Sequence, residues 1–207
     1  MTSTTLIATA SNRIEAENPT TNYSAQNNFQ VGEWNGGAGR DRSLLKFDLS
    51  SIPSNATILS ATLRVYDQGL NYSDNIRIMS VYRVLRAWVA AQSTWNNYST
   101  GNAWGTAGCG NTTTDRESSA IGSVSMPATE VAGYVDITLT ASAIQTMITG
   151  GGFTNNGFLL QMATETNDMH QFSDETVSNQ EPKLVIVYTL PDGGQPILFE
   201  GGGLALA

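Results

Sequence analysis

The stretch RSLLKFDLSSIPSNATILSATLRVYD, residues Arg42 to Asp67, decides the fold class. Leu45, Phe47 and Leu49 fall on one face of an extended chain, and Lys46 and Asp48 fall on the other. This is the period-two pattern of a half-buried strand. The segment SSIPSNAT then interrupts the run: Pro53 fixes a backbone angle, and Ser54 and Asn55 favour a turn. Leu59, Ala61, Leu63 and Val65 restart an inward face, with Ser60, Thr62 and Arg64 pointing outward. Two adjacent strands joined by an organised turn follow from this pattern, with the inward Leu and Phe side chains in the core.

The same pattern recurs along the chain. Strands are predicted over Asn75 to Leu85 (where a break in the alternation suits a bulge), Ser119 to Met126, Gly133 to Thr140, Asn156 to Ala163 and Lys183 to Leu190. Shorter ones are predicted near Thr5 to Ala8 and Asn28 to Gly32. One short helix interrupts them at about residues 141–149, where Ala141, Ile144 and Ile148 share a face. Thr140 is placed to cap it, and Gly150 to Gly152 end it. The sum is an all-β domain over residues 1–190, a two-sheet jelly-roll β-sandwich with the helix plugging one open end.

Composition narrows the partners. Of 207 residues only 14% are charged, and the net charge is −8. Lys46 and Lys183 are the only lysines. Such a chain is not built to neutralise phosphates, so nucleic acid is not an expected partner. No apolar run is long enough to span a membrane, and MTSTTLIATASNR lacks the basic start and apolar core of a secretory signal. Cys109 is the single cysteine, so no internal disulfide can form.

The residues of the opening stretch carry a resemblance. RSLLKFDLSSIPSNATILSATLRVY resembles the core signature of the DNRLRE-domain family. AWVAAQSTWNNYSTGNAW is similar to that family's Trp-spaced loop, VDITLTASAIQTMITGGGFTNNGFLL to its strand, helix and strand, and EPKLVIVY to its final strand. The resemblance implies a jelly-roll sandwich similar to carbohydrate-binding modules, with members beside polysaccharide-degrading proteins and standalone members among phage structural proteins.

Little in the sequence points to catalysis. His170 is the only histidine, in ETNDMHQFSDE, and is read as a surface loop residue. No Gly-x-Ser-x-Gly elbow is present to raise a serine nucleophile. The carboxylates of that acidic loop are read as solvated, and the protein is read as a non-enzyme. Structural calcium is the expected cofactor if there is one, since it takes carboxylate and amide oxygens; Asp115, Asp168 and Asp174 are the candidate ligands. Zinc is excluded by one Cys and one His. Glycan contacts would use aromatic faces: Trp34, Tyr98 and Trp104 are the candidates, while Trp88 and Trp95 are assigned to the core.

Residues 191–207, PDGGQPILFEGGGLALA, stand apart as an apolar, Gly-rich extension. Ile197, Leu198, Phe199, Leu204 and Leu206 are expected to dock on another protein subunit by adding a strand to an exposed sheet edge. Two functions fit these features. The first is a structural subunit of a phage virion surface, a capsid decoration or fibre protein made in the host cytoplasm without a signal and assembling with itself or other capsid proteins. The alternative is the carbohydrate-binding module of an extracellular, polysaccharide-degrading or cell-surface protein.

Overall fold

A computed structural model describes residues 1–34, 36–71, 75–129 and 131–191. Almost everything ordered into elements is strand. These are β1 (Thr2–Glu15), β2 (Asn28–Glu33), β3 (Arg40–Phe47), β4 (Thr57–Asn71), β5 (Arg77–Arg83), β6 (Asn97–Ser99), β7 (Asn102–Ala103), β8 (Gly122–Met126), β9 (Gly133–Leu139), β10 (Phe158–Met162), β11 (Asp168–Ser173) and β12 (Lys183–Thr189). Among the described residues there is one helix, α1 (Ala141–Met147), between β9 and β10. Among the described residues no helix is long and apolar enough to cross a membrane.

Hydrogen bonding closes eight of these strands into a ring in the order β4-β9-β8-β5-β10-β3-β1-β12, with β12 returning to β4. Strands β2 and β11 pair with each other and bridge β3 to β4. The ladders are therefore continuous and do not part into two separate sheets. Two long strands carry the continuity. Strand β1 pairs with β12 through Ile7 and with β3 from Ala8 to Glu15, with a bulge between Ala8 and Ala10. Strand β4 pairs with β12 and β9 along most of its length and reaches β11 from Asp67 onward. A bulge lets a strand bend and twist, so one strand serves both sides of the ring.

The two runs of the Arg42–Asp67 stretch are strands, but they are not adjacent. Between β3 and β4 in the ring lie β1 and β12. The Leu49–Ala56 segment crosses one end of the core and buries Leu49, Ile52 and Ala56 there. Asp48 accepts the Ser50 N–H at 2.9 Å and shapes the start of the crossing. The bulge expected in Asn75 to Leu85 is not found: β5 pairs with β10 and β8 without a shift of register. Its alternation breaks because Ile76 and Ile78 are apolar and exposed.

The interior is filled by alternate residues, among them Leu45 and Phe47, Leu63 and Val65, Phe158 and Leu160, Leu184 and Ile186. Helix α1 plugs one end with Ala143, Ile144 and Met147. Gln145 pins it, accepting the Ile58 N–H at 2.8 Å and donating to the Ala56 carbonyl at 3.0 Å. Thr140 precedes the helix but makes no side-chain cap; its hydroxyl donates to the Ile121 carbonyl instead.

A second cluster covers the other face of the β1–β3–β10 region. Ile14, Leu44 and Leu159 meet Val84, Trp88, Trp95, Trp104 and Cys109 from the long connection between β5 and β8. Two of the indole N–H groups find carbonyls: Trp88 donates to Asn156 at 2.8 Å and Trp104 to Thr94 at 3.0 Å. Arg42 binds this cover to the sheet. It makes a bidentate pair with Glu165 at 2.7 and 2.9 Å, donates to the Gly108 carbonyl at 2.7 Å and lies over the Trp95 ring.

Candidate functional site

Strands β1, β2 and β11 leave a cleft of about 380 Å³ lined by Arg13, Glu15, Asn18, Tyr23, Gln30, Trp34 and Met169. Its positions follow from the local sequence. Arg13 and Glu15 are alternate residues of β1, so they share a face, opposite Ile14 of the second cluster. Trp34 follows β2 directly and remains 46% exposed. Gly32 lets β2 approach β11 so closely that a side chain there would overlap the Asp168 carbonyl.

The cleft floor is polar and tightly organised. Arg13 lies over the Tyr23 ring at 4.0 Å and donates to the Gln30 side-chain oxygen. Its guanidinium also faces Glu15 at 3.6 Å and Asp41 at 3.7 Å. Glu15 is only 4% exposed, yet its Oε2 makes no hydrogen bond. Behind it Asp41 is fully buried, and neither of its oxygens makes one either. Burial pushes the Asp41 carboxyl up to about 8; Arg13 opposes this, while Glu15, Glu17 and Glu165 add to it. Burial, with Glu15 alongside, likewise raises the Tyr23 phenol.

Asp41 makes stability depend on pH. Between about pH 4 and 8 the unfolded chain releases this proton and the folded chain keeps it. Stability therefore falls as pH rises through that window. Asp41→Asn keeps the neutral shape. It is expected to gain about 2–4 kcal/mol over the parent at pH 8.5 and nothing at pH 4. Thermal melts of both proteins at the two pH values check this; equal gains at both would rule out titration of Asp41 as the cause.

The other predicted site residues lie elsewhere. Trp104 is 5% exposed and Tyr98 half-buried against it, so these two belong to the second cluster and are not an open glycan platform. Trp88 and Trp95 are buried in the second cluster, where the sequence reading placed them. The three calcium candidates, Asp115, Asp168 and Asp174, are not brought together. Burial works against the charge on Asp115, but the N–H groups of Thr106, Gly105 and Asn111 outweigh it and hold the carboxyl below its ordinary range. Asp174 accepts the Thr176 N–H and hydroxyl. Asp168 is fully buried beside Arg77 at 3.3 Å, and burial pushes it up to about 7. Among the described residues no group of three or more His, Cys, Asp or Glu could hold a metal ion. Ile197, Leu198, Phe199, Leu204 and Leu206 lie outside the described residues.

The segment ETNDMHQFSDE is not a solvated loop. It forms β11, and His170 is fully buried with Nδ1 2.8 Å from Asp67 Oδ2. Phe172, on the same face, stacks on Phe29 in the core. The alternation Asp168, His170, Phe172 was visible in the sequence, but two polar residues in it masked the inward face. Glu15, Arg13 and Asp41 were also missed, because charged residues in strands are taken as outward-facing unless a partner is known.

No curated protein matches the chain. The assignment to the DNRLRE-domain family is overturned, because the family model that matches is a different one. The motif behind that assignment is made of core positions, Leu45, Phe47, Leu49, Ile52, Ala61, Leu63 and Val65, which a closed ring of this kind needs whatever its family. Residues 11–186 match the model of the disaggregatase related repeat domain, and the chain belongs to that family.

Proposed function

We propose that this domain is a non-catalytic carbohydrate-binding module, with the cleft at Arg13, Glu15, Tyr23 and Trp34 as its binding site. One observation carries the proposal: a half-exposed indole stands at the mouth of a cleft whose floor holds a guanidinium, a carboxylate and two amides. An apolar face with a few placed polar groups suits a pyranose ring. We also take the ring to be flattened into a jelly-roll sandwich, β12, β4 and β9 facing β3, β10 and β5. Their alternate side chains meet in one shared core, which supports this layout. The family's description as a repeat domain suits a module that accompanies other domains.

The virion-surface reading drew in part on standalone DNRLRE members and on residues 197–206. The first of these supports is removed, and the second lies outside the described residues. Nothing among the described residues favours it over the cleft.

Trp34→Ala is the direct test. Because the indole is exposed, its removal should leave the melting temperature within about 2 °C, a surface substitution costing around 0.5 kcal/mol or less. Retention on a bound polysaccharide in affinity electrophoresis should fall at least about tenfold, as for truncation of an aromatic anchor. Unchanged retention of a bound glycan by Trp34→Ala would move the site away from this cleft.

A further inference from the structure

We propose that Gly39 is a positioning residue of the cleft: its bare α-carbon seats one face of the Trp34 indole and so decides which face a sugar ring can meet. This inference rests on the carbohydrate-binding reading and adds the residue that holds its aromatic anchor.

Trp34 follows β2 and Gly39 precedes β3, so the two stand at the base of one connection. The Trp34 N–H donates to the Gly39 carbonyl at 3.4 Å and ties the two ends together. Glu33 holds the connection from behind. It is fully buried, with Oε1 accepting the Gly37 N–H at 2.5 Å and Oε2 accepting the Asn167 N–H at 2.8 Å. One carboxylate thus fastens the segment that carries Trp34 to the residue that leads into β11, the partner of β2. The backbone under the indole is fixed, and the pose of the ring depends on what it rests against.

It rests against Gly39. A β-carbon there would stand 2.5 Å from Nε1 of Trp34, 2.7 Å from Cδ1 and 2.9 Å from Cε2. An atom beyond the ring edge, in line with the N–H, would be much farther from Cδ1 and Cε2 than from Nε1. The three similar distances therefore put the added carbon over the ring face. The five-membered ring lies flat on the Gly39 backbone, in space that any side chain would take. Its seated face is covered, so the 46% of Trp34 that stays exposed belongs to the opposite face and the outer edge. Trp34 lines the cleft with that free surface. A ring already held in place need not be ordered when a ligand binds, which preserves affinity.

The backbone does not require glycine here. Gly39 is not among the residues with positive φ, so alanine is compatible with its conformation. The three heavy atoms nearest to the added carbon all belong to the indole. Gly39→Ala therefore acts on the ring.

Trp88, Trp95 and Trp104 are 1%, 7% and 5% exposed, so acrylamide quenching of tryptophan emission reports chiefly on Trp34, with Trp34→Ala as the baseline. Quenching and melting temperature are measured for the parent, Gly39→Ala, Trp34→Ala and the double variant. Retention is measured on neutral β-glucan, polygalacturonate and a sulfated galactan. In Gly39→Ala the quenching slope should rise, because the ring is lifted from its seat. Retention on the polysaccharide that holds the parent should fall at least about threefold, part of the loss on removing the anchor itself. Any fall in melting temperature should return in the double variant, where the methyl meets no indole, and the double variant should be retained like Trp34→Ala alone. Unchanged quenching and retention in Gly39→Ala would overturn the inference and leave the glycan site standing. So would a loss of melting temperature that persists in the double variant, the mark of a purely structural glycine. No retention of the parent on any of the three polysaccharides would overturn the carbohydrate reading, and the positioning role with it.

Discussion

Gly32→Ala is expected to abolish the native fold or to detach β2 from β11. Gly32 has φ +130°, where a side chain is strained, and a Cβ there would overlap the Asp168 carbonyl oxygen and crowd Met169. The strain alone costs about 1–3 kcal/mol. The overlap is with backbone on a strand held by six register pairs, from Asp168↔Glu33 to Ser173↔Asn28, so it cannot be relieved by turning a side chain. A total above about 4 kcal/mol is expected, a large part of the stability of an ordinary domain. Gly101→Ala supplies the control. Gly101 also has positive φ, +75°, but nothing lies near its Cβ position, so only the conformational cost of about 1–2 kcal/mol remains. Denaturant melts of the two variants separate the terms. Similar losses for both would show that the close approach of β2 and β11 does not constrain the fold.

Arg42→Ala should be the next most damaging substitution. It removes both hydrogen bonds to Glu165, the bond to the Gly108 carbonyl and the packing over Trp95. Glu165 then stays in a poorly hydrated place without its cation; breaking such a pair from one side costs about 3–5 kcal/mol. For a chain of this length that is a fall of roughly 10 °C in melting temperature. The loss should be visible in tryptophan emission, since Trp95 is in contact with the guanidinium and shares its cluster with Trp88 and Trp104. Arg42→Lys should restore little, because a point charge cannot make the bidentate pair. A melting temperature within 2 °C of the parent for Arg42→Ala would show that the cover is held by its apolar contacts alone.

The parts of this protein that obey one strong local rule are legible in its sequence. Leu45 and Phe47, Leu63 and Val65, and Leu184 and Ile186 alternate without interruption, and each is in the core. Helix α1 shows its apolar face and its glycine stop. The cleft is not legible in the same way. Arg13, Glu15 and Asp41 sit on strands as charged residues, and their burial depends on the Glu15↔Asp41 pairing of β1 with β3 and on the Gly32↔Asp41 pairing of β2 with β3. The first of these pairings joins strands that have all of β2 between them in the chain, and no local pattern encodes it. The aromatic candidates divide for the same reason. Trp34 and Trp104 both stand in Gly- and Asn-rich surroundings, but Trp104 is drawn inward because Ile14, Leu44 and Leu159 offer an apolar surface to cover.

Closure of the ring has a consequence for synthesis. The first and last strands among the described residues lie side by side, with Thr2 opposite Tyr188, and β12 fills the gap between β1 and β4. A chain still emerging from the ribosome holds that gap open until β12 arrives, leaving two raw backbone flanks able to pair with other nascent chains. Premature termination within β12 would leave an adhesive half-built sheet rather than a smaller working domain.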